Sequence, residues 1–172
     1  MTPYPVPRPR WCKQLLCVAT LILAGCGGSS ATKARVELVR GPAVTFEAPH
    51  GWKLERTLRQ VSASHDSELV QVAFFPLVKP YTPSLFARVE KELEARMAGI
   101  ARQSRGTISG RHTVTAAGIR SHAYDVTVGD HVDEYTFVLT GLREYQLLCR
   151  RKASSDHSFC EQLLSTFARS GG

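Results

Sequence analysis

The 172-residue chain lacks a long apolar run: its best candidate, Leu15 to Ala24, covers about ten residues, where a helical membrane crossing needs roughly 20. Processing is therefore favoured over a permanent membrane span. It has no glycine-rich phosphate loop, which removes the usual nucleotide cradle, and no internal repeat, which removes solenoids and arrays. None of its six histidines stands in a His-x-His or His-x-x-x-His pair, the spacings that set two imidazoles on one face of a strand or helix. Basic residues are interleaved with Asp and Glu, and only Arg150-Arg151-Lys152 forms a run. The clustered basic face that nucleic acid requires is missing, so no nucleic-acid partner is expected.

What the chain does have begins at its N-terminus. Arg8, Arg10 and Lys13 precede the apolar run, which ends in Leu23-Ala24-Gly25-Cys26 and is followed by Gly27-Gly28-Ser29-Ser30. Positive region, apolar region and small-residue cleavage site, in that order, describe a secretory signal. The four residues ending in Cys26 resemble the lipobox of bacterial lipoproteins. The resemblance implies a diacylglyceryl group on the Cys26 thiol, cleavage between Gly25 and Cys26, and attachment to the cell membrane on its extracytoplasmic face. Each buried methylene contributes about 0.8 kcal/mol, and two acyl chains pass the threshold for stable anchoring that one chain only approaches. The expected organisation is a signal peptide at 1–25, a lipidated flexible tether at 26–34, a single domain at 35–169 and a loose tail at 170–172.

The formal charge of +7 falls to +4 without the signal, which carries three basic residues and no acid. Of five cysteines, Cys12 and Cys17 leave with the signal and Cys26 takes the lipid. Cys149 and Cys160 remain, and an even pair in an oxidising compartment reads as a disulfide. The short loop it closes is worth roughly 3 kcal/mol by chain entropy. A metal alternative would need more ligands nearby, and only His157 qualifies.

Along the body, Arg35 to Arg40 and Val44 to Glu47 read as extended, and Pro49 and Gly51 reverse the chain to bring Trp52 back beside Phe46. A strand follows at 52–55, then a polar turn region from Ser62 to Glu68. Leu69 to Pro76 is apolar on both alternations, the mark of an inner strand covered on both faces. Lys79-Pro80-Tyr81-Thr82-Pro83 should break it, with Thr82 capping a helix. Leu85, Phe86, Val89, Leu93, Met97 and Ile100 form one stripe on that helix, leaving Arg88, Glu92, Arg96 and Arg102 for solvent. Period-two patterning then predicts strands at 107–116, 119–128, 131–142 and 145–152, joined by turns at Ala117-Gly118, Gly129-Asp130 and Gly141 to Glu144. Ser158-Phe159-Cys160-Glu161 has the spacing of a capping box ahead of a short last helix.

The ordered set of Phe46-x-Ala48-Pro49-x-Gly51-Trp52, one long helix, an antiparallel meander and a last helix ending Leu164-Ser165-Thr166-Phe167 resembles the Mog1/PsbP fold, in particular exported proteins of the DcrB and LpqN kind. The resemblance implies an α+β domain, an antiparallel sheet packed between helices, and use as an accessory or binding module without an active-site motif.

Catalytic constellations do not assemble. Ser64-His65-Asp66 contains the triad residue types, but adjacent residues in an extended segment point to opposite faces. Asp130, Asp133 and Glu134 do not have the spacing of a calcium loop. His112, His122 and His131 fall on consecutive strands and read as polar residues on a wet sheet face. Phe46 and Trp52 read as core. Arg150-Arg151-Lys152 reads as a solvated strand end. The expectation is a non-enzymatic envelope lipoprotein without metal or cofactor, serving an unknown envelope protein as binding or accessory module. A second reading is a carrier of a lipid or small apolar ligand between helix and sheet.

Overall fold

The computed structural model describes residues 35–170; Cys26 and the expected signal and tether lie outside the described residues. Two sheets form. The smaller holds β1 (Val36–Arg40), β2 (Val44–Pro49) and the two-residue β9 (Ala168–Arg169), in the order β1-β2-β9. The larger holds β3 (Lys53–Arg56), β4 (Gln60–His65), β5 (Glu68–Tyr81), β6 (Thr107–Ala116), β7 (Ile119–Val128) and β8 (His131–Lys152), in the order β3-β4-β5-β8-β7-β6, with every pairing antiparallel. Helix α1 (Phe86–Ser104) separates β5 from β6, and α2 (Ser158–Thr166) follows β8.

β8 is extended throughout but doubles back. Arg150 Nε lies 2.7 Å from Asp133 Oδ1 and Arg151 Nε 2.6 Å from Glu134 Oε1, each pair 17 residues apart in sequence. Seventeen residues of straight strand would separate them by about 55 Å. The reversal falls at Gly141, whose φ of +51° suits a residue without a Cβ. Residues 131–137 pair with β7 and residues 143–150 with β5, and the Ala153 amide closes the open end on the Asp130 carbonyl at 2.8 Å. The expected meander and its turn at Gly141 are thus present, with Ala117-Gly118 and Gly129-Asp130 as the other tight connections.

The large sheet is covered on both faces. One core lies under α1 and contains Leu93, Met97, Tyr124, Val126, Phe137 and Leu148. The other lies under α2 and the small sheet and contains Phe46, Val61, Val70, Val72, Leu147 and Leu163. Leu147 and Leu148 are neighbours with opposite destinations, as strand alternation requires. The α+β arrangement of an antiparallel sheet packed between helices is therefore the observed one, with the small sheet as an addition.

Several local expectations are corrected. The polar stretch from Ser62 is β4, and only Asp66 and Ser67 turn between β4 and β5. Val61 and Ala63 belong to the core beneath the small sheet, and Ser62 between them is buried on the other face. β5 runs on to Tyr81 through an irregularity after Pro76, where proline is tolerated because pairing is already interrupted. Thr82 makes no side-chain cap; a 3-10 turn, Pro83–Leu85, leads into α1, and the Thr82 hydroxyl shares a hydrogen bond with Ser84 instead. The capping box also fails: Asp156 Oδ1 accepts from the Ser158 amide at 3.1 Å and hydroxyl at 2.7 Å, taking the role assigned to Ser158.

Candidate functional site: a groove between the long helix and the sheet

β5 and β8 pair regularly up to Pro76 and Arg143, then resume at Tyr81 and Gly141. Four residues of β5 thus face one of β8, and residues 77–80 bulge outward over the first turns of α1. The space between forms an open groove of about 400 Å³. That lies within the range of small-ligand sites. Its floor is apolar: Leu77, Leu85, Val89, Leu93 and Leu139. Lys79 and Arg88 stand at its mouth with Glu92, and Tyr81 lines its wall, its hydroxyl pKa raised by burial against the opposing pull of Arg120.

Arg96 and Glu144 close the inner end. Arg96 Nη1 bonds to Glu144 Oε1, and Nη2 approaches Oε2 at 3.3 Å. Glu144 is nearly fully buried, whereas Arg96 stays exposed, as expected of it, while holding the buried carboxylate; its guanidinium also lies 5.4 Å from the Phe137 ring. Around the same end, Leu58, Phe75, Val78 and Leu142 are exposed, Val78 at 99% and Leu58 at 90%. An isolated exposed leucine is ordinary, whereas a group of apolar side chains beside a groove marks a contact surface.

The histidines do not converge. His122 faces α1, buried, with its ring stacked on Phe86 at 3.8 Å and its Nε2 3.0 Å from the Phe86 carbonyl oxygen. It is therefore not on a wet face, because the start of α1 covers it. His112 faces the other side, 3.9 Å from Asp125, and His131 lies beside Asp130. Among the described residues no group of three His, Cys, Asp or Glu side chains could hold a metal ion.

His112, Asp125, Glu134, Arg151 and His157 form a polar network on the α2 side. Glu134 takes both Arg151 and His157, the latter at 3.3 Å. Asp125 Oδ1 is buried without a hydrogen-bond partner, and burial, against the pull of His112, raises its carboxyl above the ordinary range. Arg150 pairs twice with Asp133, which is buried, while Arg151 is itself 8% exposed. Arg150 and Arg151 are thus paired rather than solvated, and they neutralise two of the three acids near the hairpin, while Lys152 stays exposed as a strand end should. His65 stacks on Trp52 and lies 3.7 Å from Asp66; no Ser64–His65 hydrogen bond forms among the described residues. Phe46 is fully buried, and Trp52 packs half-buried against Phe159.

Cys149 and Cys160 are joined, with Cα atoms 5.5 Å apart and both side chains buried. The bridge ties the end of β8 to the first turn of α2. The groove itself had only a hint in the sequence: Pro76 and Pro80 inside an apolar strand signal interrupted pairing.

The fold is similar to that of cyanobacterial PsbP (CyanoP) from Synechocystis sp. PCC 6803, determined in solution. The match has a TM-score of 0.61 at 14% identity, over 86% of this chain and 99% of that one. The domain thus has a PsbP-like fold. A crystal structure from Bacteroides thetaiotaomicron VPI-5482 aligns at a TM-score of 0.46 and 9% identity, over 80% of this chain and 49% of its own. No family model and no curated protein matches the sequence.

Proposed function

We propose that the protein is a non-enzymatic binding or accessory module of the cell envelope, anchored through Cys26 and engaging its partner with the groove end. One observation carries this reading: an apolar groove edged by the exposed Val78 opens at the end of the sandwich where Leu58, Phe75 and Leu142 are also exposed, and the chain enters the domain at the other. The Arg35 carbonyl accepts from the His50 amide, and Trp52 beyond it stacks on His65, beside the Glu68 start of β5. Leu77 lies nine residues further along β5, about 30 Å away. An anchor before Arg35 would attach at the end remote from the groove and so does not occupy it.

A photo-crosslinking amino acid at position 78 of the full chain, in cells, tests the surface. One defined partner from position 78 and none from position 38 is expected; equal labelling from both would overturn the reading. Cys26→Ser should abolish lipid labelling and membrane retention, and a variant that still incorporates palmitate refutes the anchor.

The apolar floor also supports a second reading, a carrier of a lipid or small apolar ligand. Native mass spectrometry of the purified chain would then show a reproducibly bound lipid, and bare protein would end that reading.

A further inference from the structure

Charge is distributed unevenly along the sandwich. At the groove end Arg59, Lys79, Arg88 and Arg143 are exposed, and none is in an ion pair among the described residues. Glu92 offsets one of them, and Glu144 is already held by Arg96. At the opposite end Glu37, Asp66, Glu68, Asp130 and Asp156 outnumber the cations Arg35 and Lys152 beside the entry of the chain. Exposed apolar side chains and unpaired cations thus share one surface.

We infer that this surface docks an acidic, amphipathic segment of a partner protein, its apolar side chains on Leu58, Phe75, Val78 and Leu142 and in the groove, its carboxylates on Arg59, Lys79, Arg88 and Arg143. The inference rests on the binding reading above and names the chemistry of the partner. Depth and charge select it together. An open groove of about 400 Å³ accepts protruding side chains, and a rim of unpaired cations speeds encounter with, and selects for, a partner of opposite sign. An anionic bilayer offers related chemistry, but a flat headgroup layer presents no side chains to fill a groove of this depth.

The test is to pan a random dodecapeptide library on the full chain in detergent micelles and to measure the enriched peptides by fluorescence anisotropy. Enriched sequences should be acidic with interspersed apolar residues and should bind more weakly as salt rises. Arg59→Glu/Arg143→Glu should weaken binding at least tenfold with an unchanged melting temperature, while Arg35→Glu/Lys152→Glu, reversing charge at the far end, should not. Enriched peptides that are basic or uncharged, an empty selection, or equal effects of the two double variants would overturn the inference. So would sedimentation with phosphatidylglycerol vesicles that Arg59→Glu/Arg143→Glu abolishes. In-cell crosslinks from position 78 that map to a basic or uncharged segment would sink this inference and leave the anchored module standing.

Discussion

Arg96 and Glu144 form a two-pronged ion pair across the inner end of the groove, the guanidinium side chain 45% exposed and the carboxylate side chain 5%. The asymmetry decides what each removal does. Arg96→Ala leaves a buried carboxylate without its counter-charge and should destabilise the domain by about 2 kcal/mol. Denaturant titration at neutral pH checks this, and Arg96→Ala/Glu144→Gln should recover most of the loss. If the single variant unfolds at the wild-type midpoint, the pair does not hold α1 to the sheet.

Phe86 fixes the start of the long helix. Its ring lies against His122 at 3.8 Å, with the Arg120 guanidinium 4.2 Å from its centroid. His122→Ala removes the stack and a hydrogen bond, at a cost of about 2 kcal/mol. Amide exchange should accelerate first in residues 86–93, which line the groove. Uniform acceleration across α1 would contradict a local role.

The disulfide closes a loop with a sequence separation of 11. Replacing both Cys149 and Cys160 by Ser should cost roughly 3 kcal/mol, and dithiothreitol should lower the melting temperature of the wild type but not of the double variant. Free thiols at both positions in non-reduced peptide maps would refute the bridge.

Asp125 gives the pH dependence a sign. Burial raises its folded pKa above the ordinary carboxylate value, with His112 opposing and Glu134 reinforcing. The folded state therefore holds the proton more tightly than the unfolded one, so its contribution is full below the unfolded pKa and is lost as pH rises through the folded one. Asp125→Asn should flatten that decline and stabilise the protein at neutral pH by about 1 kcal/mol. A wild-type slope unchanged in the variant would assign the dependence elsewhere.

The meander and the helix were legible because their patterns are local. Gly129-Asp130 and Ala117-Gly118 sit between alternating runs, and the stripe ending in Leu93, Met97 and Ile100 repeats at helical spacing. β4 was not, since Ser62, Ala63 and Ser64 look like a turn until β3 and β5 pair with them on either side. The pairings of Arg150 and Arg151 depend on hairpin register, which joins residues 17 apart and turns an apparent basic patch inward. The groove was the least accessible. It arises from a difference in residue count between two strands and from where α1 happens to cross them. The apolar residues of its floor carry the same pattern as ordinary core.

The pairing of β2 with β9 has a consequence for how the molecule is made. Thr45 lies opposite Ala168, and the Glu47 amide is held by Thr166, 119 residues later. Closing a loop of that length is entropically slow. The second strand therefore keeps an open edge until the last residues of the domain arrive, and a chain synthesised from its N-terminus cannot complete its smaller sheet before almost all of it exists.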